Sequence, residues 1–284
     1  MTPADRLAAA EARGEFASEV SKPDAALSLA RAALLVGKEE EPRACDVERC
    51  LARLDALGEE ARARVERGGS SRVESLNRYL FDEQGFAGNV SDYYDPRNSM
   101  LHRVLERRLG IPITLSVVYI EVGRRAGLRV EGVGMPGHFI ARAFESEGAE
   151  GTLVDPFNRK TTDEEECRQR IDGIYDGALH LGAEHLRSAG VRVILARILG
   201  NLKAVYVQSQ LFRRALAAVE RILLVTPNDI EERRDRGMLL AQLNRMSEAI
   251  SDTQTYLDLV PDAPDSDSVR EQLKKMQIRL AMLN

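Results

Sequence analysis

The 284-residue chain reads as an α+β protein, with helical segments on both sides of a small mixed core. Three features lead to this reading. Residues 1 to about 83 are rich in Ala, Leu, Arg and Glu, with apolar positions every three or four residues. Between about 128 and 155 the period shortens to two. From about Arg187 onward helical spacing returns and repeats with an offset of 34 residues. The expected divisions are a helical N-terminal region at 1–90, an α+β core at 91–186 and an all-α repeat segment at 187–284.

In the N-terminal region, Val47, Leu51, Leu54 and Leu57 keep helical spacing, and Pro42 and Gly68-Gly69 punctuate it. Val73, Leu76 and Leu80 place a further helix over Ser71 to Phe81. The turn formers of "FAGNVSDYYDPRNSM" follow. Asp95-Pro96 has the order of an N-cap and first helical residue, predicting a helix through Leu101, Val104 and Leu105 that ends at Gly110. Pro112 opens a second helix, which Gly127 stops. Leu128 to Val133, His138 to Phe144 and Thr152 to Val154 read as strands, the last two joined by the turn "SEGAEG".

In the last segment Ala215 and Pro227 are matched by Ala249 and Pro261. Leu199, Leu202, Tyr206, Val219 and Ile222 occupy tetratricopeptide consensus positions in the first copy, as do Gly237, Leu240 and Tyr256 in the second. Arg233 and Arg236 depart from apolar consensus positions. A final helix, Ser268 to Leu283, would cap the array.

Composition narrows the function classes. Hydrophobic residues at 44% and charged residues at 30% argue against a disordered chain. A net charge of -5 lacks the basic excess of a nucleic-acid binder. No run of apolar residues is long enough to span a bilayer and no export signal stands at the N-terminus, so the expectation is a cytoplasmic protein without membrane or nucleic-acid partners. Cys45, Cys50 and Cys167 make neither a disulfide framework nor a metal set. Cys45 and Cys50, five apart, are expected on different faces of a helix as small packed thiols. His180 and His185 have no carboxylate at ligand spacing, and no metal or cofactor is expected. His102 is expected at the surface or against a neighbouring helix. Arg103, Arg107, Arg108, Arg124, Arg125 and Arg129, interleaved with Glu106 and Glu121, read as a solvated face.

"GVGMPG", residues 132–137, matches the glycine pattern of dinucleotide-binding loops. That motif needs a helix N-terminus next, to hold the pyrophosphate. Here "HFIARAF" follows, with strand character and no cap. The glycines are therefore expected to serve a tight turn and a close backbone approach. The same hairpin logic lays the start of the His138 strand beside the end of the strand reaching Asp155. A carboxylate beside an imidazole fixes its tautomer, and the two make up most of a nucleophilic triad.

With "GIPITLSVVYIEVGRRAGL", "GHF" and "VDP" in this order, the chain resembles the transglutaminase-like superfamily, papain-like enzymes with a Cys-His-Asp triad. More narrowly, residues from about 70 to 165, followed by the repeats, resemble bacterial proteins of Sir-B type that join such a domain to tetratricopeptide repeats. The resemblance implies a papain-like core. The sequence departs from it where the nucleophile belongs: Pro112 stands at the cysteine position, Ser116 is one turn later, and Ile140 replaces an aromatic residue. Thr114 is a further hydroxyl, expected as a cap. Three readings of Ser116, His138 and Asp155 stay open: a serine variant of the triad performing acyl transfer or amide hydrolysis, a vestigial pair that contacts a ligand, or plain structural roles. The sequence leans against catalysis. It favours a non-catalytic regulatory or interaction scaffold whose repeats recruit a protein or peptide; of Lys203, Arg213, Arg214, Arg221, Arg233, Arg234 and Arg236 some are able to clamp a carboxylate, and a solvated helical face is the expectation for any one of them.

Overall fold

A computed structural model describes residues 2–67 and 71–283. Gly68-Gly69, expected to punctuate the N-terminal region, lie outside the described residues. The chain divides into two compact units, residues 1–198 and 199–284.

The first unit begins with α1 (Pro3–Val20), α2 (Leu29–Glu40), α3 (Val47–Val65) and α4 (Arg72–Asn77). Side chains cap each start: Thr2, Ser28, Asp46 and Ser71 each accept from a backbone N–H three residues on. The helix expected over Ser71 to Phe81 is α4 followed by a π-helical turn, Arg78–Glu83.

Two short strands, β1 (Ala87–Gly88) and β2 (Leu109–Gly110), pair in parallel and enclose the Asp95 segment. Asp95 does act as a cap, accepting from the Arg97 N–H, but only a 3-10 turn, Pro96–Ser99, follows. Met100 breaks the helical path before α5 (Leu101–Arg107). Helix α5 ends at Arg108, in the left-handed region with φ 60°, and not at Gly110 as expected. Gly110 is consumed by pairing with Gly88.

Helix α6 (Pro112–Arg125) is buried from Pro112 through Gly123. It packs against α3 and against β3 (Arg129–Met135) and β4 (His138–Phe144). A helix buried all round can carry apolar residues on every face, which explains "PITLSVVYI". The antiparallel sheet continues with β5 (Gly151–Asp155) and β6 (Lys160–Thr162), and β7 (Ser188–Ala189) pairs on the far side of β3. One side of the sheet faces α6. Val133, Met135, Ile140 and Leu153 form the other side, packed with Cys167 and Ile171 of α7 (Glu164–Tyr175).

The arginines near α5 and α6 are not merely solvated. Arg103 pairs with Glu41 and Glu106, Arg107 with Asp95, and Arg125 with Asp55 and Glu121. Helix α8 (Val191–Gln208) carries the chain from the first unit into the second. The second unit contains α9 (Phe212–Val225), α10 (Ile230–Gln242), α11 (Met246–Leu259) and α12 (Ser266–Leu283). Consensus residues Leu202, Tyr206, Ala215, Val219, Ile222, Leu240, Ala249 and Tyr256 are all buried in this unit.

Candidate functional site

The site grows from the β3–β4 hairpin. Met135 pairs with His138, leaving Pro136-Gly137 as a two-residue turn. Gly137 has φ 68°, a conformation that costs an L side chain energy. Gly132 allows a close approach, since a Cβ there would lie 2.8 Å from Phe139 Cζ. The glycine pattern thus lies in a strand and its turn, with no helix after it.

Strands β4 and β5 run antiparallel, and their register brings the start of one to the end of the other. His138 Nε2 and Asp155 Oδ2 are 2.9 Å apart, with both side chains buried. Asp155 is saturated with donors. Its Oδ1 accepts from the N–H groups of Phe157 and Asn158, both at 3.1 Å. Its Oδ2 also accepts from Asn158 Nδ2 at 2.7 Å and lies 3.3 Å from Arg170 of α7. Burial by itself would raise the Asp155 carboxyl, but the hydrogen bonds and charge of His138 and the Asn158 donors outweigh it and hold it below the usual range. With Nε2 committed, Nδ1 of His138 makes no hydrogen bond among the described residues. Phe157 packs edge-on to the imidazole and in turn meets Tyr93.

Ser116 is placed elsewhere. It is fully buried on α6, and its hydroxyl donates to the Phe139 carbonyl at 3.3 Å. No hydrogen bond joins it to His138 among the described residues. The strand alternation gives the reason. Val130 lies on the α6 side of the sheet, against Gly123, whereas Met135 lies on the α7 side. As Met135's partner, His138 follows it to the α7 side, where Arg170 also reaches Asp155. Pro112 is the first residue of α6 and is buried. Thr114 completes the helix start: it accepts from Ile111 N–H at 3.2 Å and donates to the Asn98 carbonyl at 2.6 Å. Asn98 itself is held by its amide, which donates to the carbonyls of Asp92 and Tyr93.

Sequence reading missed several partners of the pair. Arg197 of α8 donates to the carbonyls of Met135 and His138 and lies over the Phe139 ring. No local pattern points to it, because the contact spans 59 residues. Asn158 carried a signal: three residues after Asp155, it lies within reach of an Asx-type turn. His102, expected at the surface or against a helix, is buried, with Nε2 at 2.9 Å from Glu41. His185 accepts from Gly182 N–H. No group of three or more His, Cys, Asp or Glu residues among the described residues is placed to hold a metal.

In the second unit, α8, α9 and α10 enclose a cavity of about 580 Å³, lined by Val207, Phe212, Met238 and Leu239 with Lys203 and Asp235 at its polar part. Three of the cations considered as carboxylate clamps are already paired. Lys203 binds Glu232 and Asp235, Arg234 binds Asp265, and Arg236 binds Asp252.

A central helix under an antiparallel sheet, with His and Asp on neighbouring strands, is the arrangement of a transglutaminase-like core. A model of the transglutaminase-like superfamily matches residues 48–200, and the chain belongs to that superfamily. A tetratricopeptide repeat model matches residues 202–274. The chain is 39% identical over 262 residues to the UPF0162 protein of Xylella fastidiosa strain Temecula1, covering 88% of this chain and 90% of that protein. It is 27% identical over 213 residues to Protein SirB1 of Salmonella typhimurium, covering 75% of this chain and 79% of that protein. F-box only protein 21 of Homo sapiens is 34% identical over 142 residues, 47% of this chain and 21% of that protein. Among the described residues no helix is long and apolar enough to cross a membrane.

Proposed function

We propose that this protein is a non-catalytic regulatory or interaction scaffold, with a transglutaminase-like core that lacks a working nucleophile and repeats that seat a segment of a protein partner. The observation that carries the reading is Ser116: its hydroxyl is buried and committed to the Phe139 carbonyl. A nucleophile must lie within hydrogen-bond reach of its base, and Pro112, at the papain-like position, offers no side-chain nucleophile. The His138–Asp155 pair then serves to fix the hairpin and leaves Nδ1 for a ligand.

The repeat cavity supports the interaction half. Its floor is apolar and its charges are internally neutralised, so it suits apolar side chains of a peptide better than a free carboxylate. Two experiments test the two halves. An activity-based fluorophosphonate and an activated acyl ester are expected to leave the full-length protein unlabelled and to give no turnover above background. Covalent labelling of Ser116, lost in His138→Ala, would overturn the non-catalytic reading in favour of a serine acyltransferase or amidase. Peptides selected from a random library on the full-length protein are expected to bind the Met238→Lys variant at least ~10-fold more weakly, since a buried unpaired ammonium replaces an apolar contact. Equal binding by the variant removes the cavity from the reading.

A further inference from the structure

Cys45 immediately precedes Asp46, the N-cap of α3, and Cys50 is the fourth residue of that helix. These two positions are the ones whose side chains meet across a helix start, in the arrangement known as a hydrophobic staple. Cys45 is therefore not on the helix, and the five-residue spacing does not separate the two thiols. The Cys45 sulfur lies 3.5 Å from the Leu34 carbonyl, and the staple positions set it beside Cys50.

Their surroundings are unequal. Cys45 is buried, whereas Cys50 is half-buried and lines a cavity of about 260 Å³. Arg49, Arg53 and Asp46 of the α3 start line the same cavity, with His102 and Glu106 of α5 opposite. The neighbouring Cys45 thiol lowers the Cys50 thiol. Burial and Asp46 oppose this, and Arg53 and Arg49 add to it. The Cys45 thiol is pushed far up, first by its Cys50 neighbour and then by burial. A more accessible thiol lined by two guanidinium groups, beside a buried neighbour, is the pairing that a two-step oxidation requires.

We propose that Cys45 and Cys50 form a peroxide-reactive dithiol site, in which Cys50 is the attacking sulfur and Cys45 the resolving one. In the first step the Cys50 thiolate attacks one oxygen of hydrogen peroxide. The O–O bond breaks, hydroxide leaves and takes up a proton as water, and the sulfur loses two electrons to become a sulfenic acid. In the second step the Cys45 sulfur attacks the Cys50 sulfur. The S–O bond breaks, water leaves with the Cys45 proton, and a disulfide remains. Two thiols and one peroxide thus give one disulfide and two waters. The cavity admits a reactant of peroxide size, and the two guanidinium groups favour the thiolate and the departing hydroxide.

The probe is hydrogen peroxide added to the full-length reduced protein. Trypsin cuts after Arg43, Arg49 and Arg53, so the two thiols fall on separate peptides, residues 44–49 and 50–53. Non-reducing mass spectrometry is expected to show these peptides joined, with the intact protein lighter by two hydrogens. Cys45→Ser is expected to leave a sulfenic acid on Cys50 that dimedone traps, and Cys50→Ser is expected to leave Cys45 unoxidised. In urea-unfolded protein the link should form at least ~10-fold more slowly, because the folded site supplies the thiolate. The proposal falls if both thiols stay alkylatable after peroxide, if Cys167 is oxidised first, or if the unfolded chain links equally fast.

Discussion

Asp155 concentrates the electrostatics of the His138 site in a single carboxylate. It accepts from His138, Phe157 and Asn158, and its charge is worth most when none of these donors is shared with water. Its carboxyl lies below the ordinary value in the folded protein. The stabilisation is therefore complete above the unfolded-state value of about 3.9 and is lost as pH falls through the lower folded value. Asp155→Asn is expected to cost roughly 3 kcal/mol at pH 7, read from the urea midpoint. The gap to the native protein should narrow as pH drops below about 4. A gap that stays constant with pH would show that shape, and not charge, is what Asp155 supplies. Ser116 teaches the complementary lesson. A hydroxyl one helical turn from the nucleophile position suggested chemistry, but the carbonyl it meets belongs to β4, and only packing could reveal that partner.

Among the elements, the β3–β4 hairpin was the most legible. Short β-prone runs, Leu128 to Val133 and His138 to Phe144, marked two strands around a tight turn, and the absence of a cap argued against the phosphate-loop reading. Gly137→Ala is expected to destabilise the protein by about 1–2 kcal/mol, because alanine is strained at this φ and its Cβ would lie 3.1 Å from Ile174 Cδ1. Chemical denaturation checks this, and a neutral result would mean that the turn relaxes without cost. The Asp95 helix was legible only at its start. Its end was assigned to Gly110 because glycine is the usual left-handed residue, yet Arg108 takes that conformation. The parallel contact of β2 with β1 holds Gly110 extended, and that contact is invisible locally. The start of α3 was misread for a related reason. A spacing of five separates faces only when both residues are helical, and Cys45 lies one residue before the cap.

At the level of the whole molecule, the chain forms two compact units, with α8 continuous through the boundary. Two repeats are fewer than the three usually needed to stack stably, and α12 adds the further helix that α11 packs against. Leu240, buried in the second unit, is a test of how stability is distributed. Leu240→Ala is expected to cost about 2–4 kcal/mol and to reduce hydrogen-exchange protection across residues 199–284, while amides of β3, β4 and β5 keep theirs. Equal loss in the sheet would show that the units unfold as one.

Local chemistry was enough to specify the α+β class, the 34-residue repeat, the hairpin and the nearness of His138 to Asp155, because periodicity, caps and turn residues act over a few positions. That Pro112 opens the central helix was likewise readable from the chain alone. Tertiary structure decided which side of the sheet each candidate occupies, that Ser116 spends its hydroxyl on Phe139, that Arg197 braces the hairpin, and that Lys203, Arg234 and Arg236 of the repeats are already paired. Those outcomes depend on contacts between residues far apart in sequence, where burial and hydrogen-bond competition choose the partner and no local pattern records the choice.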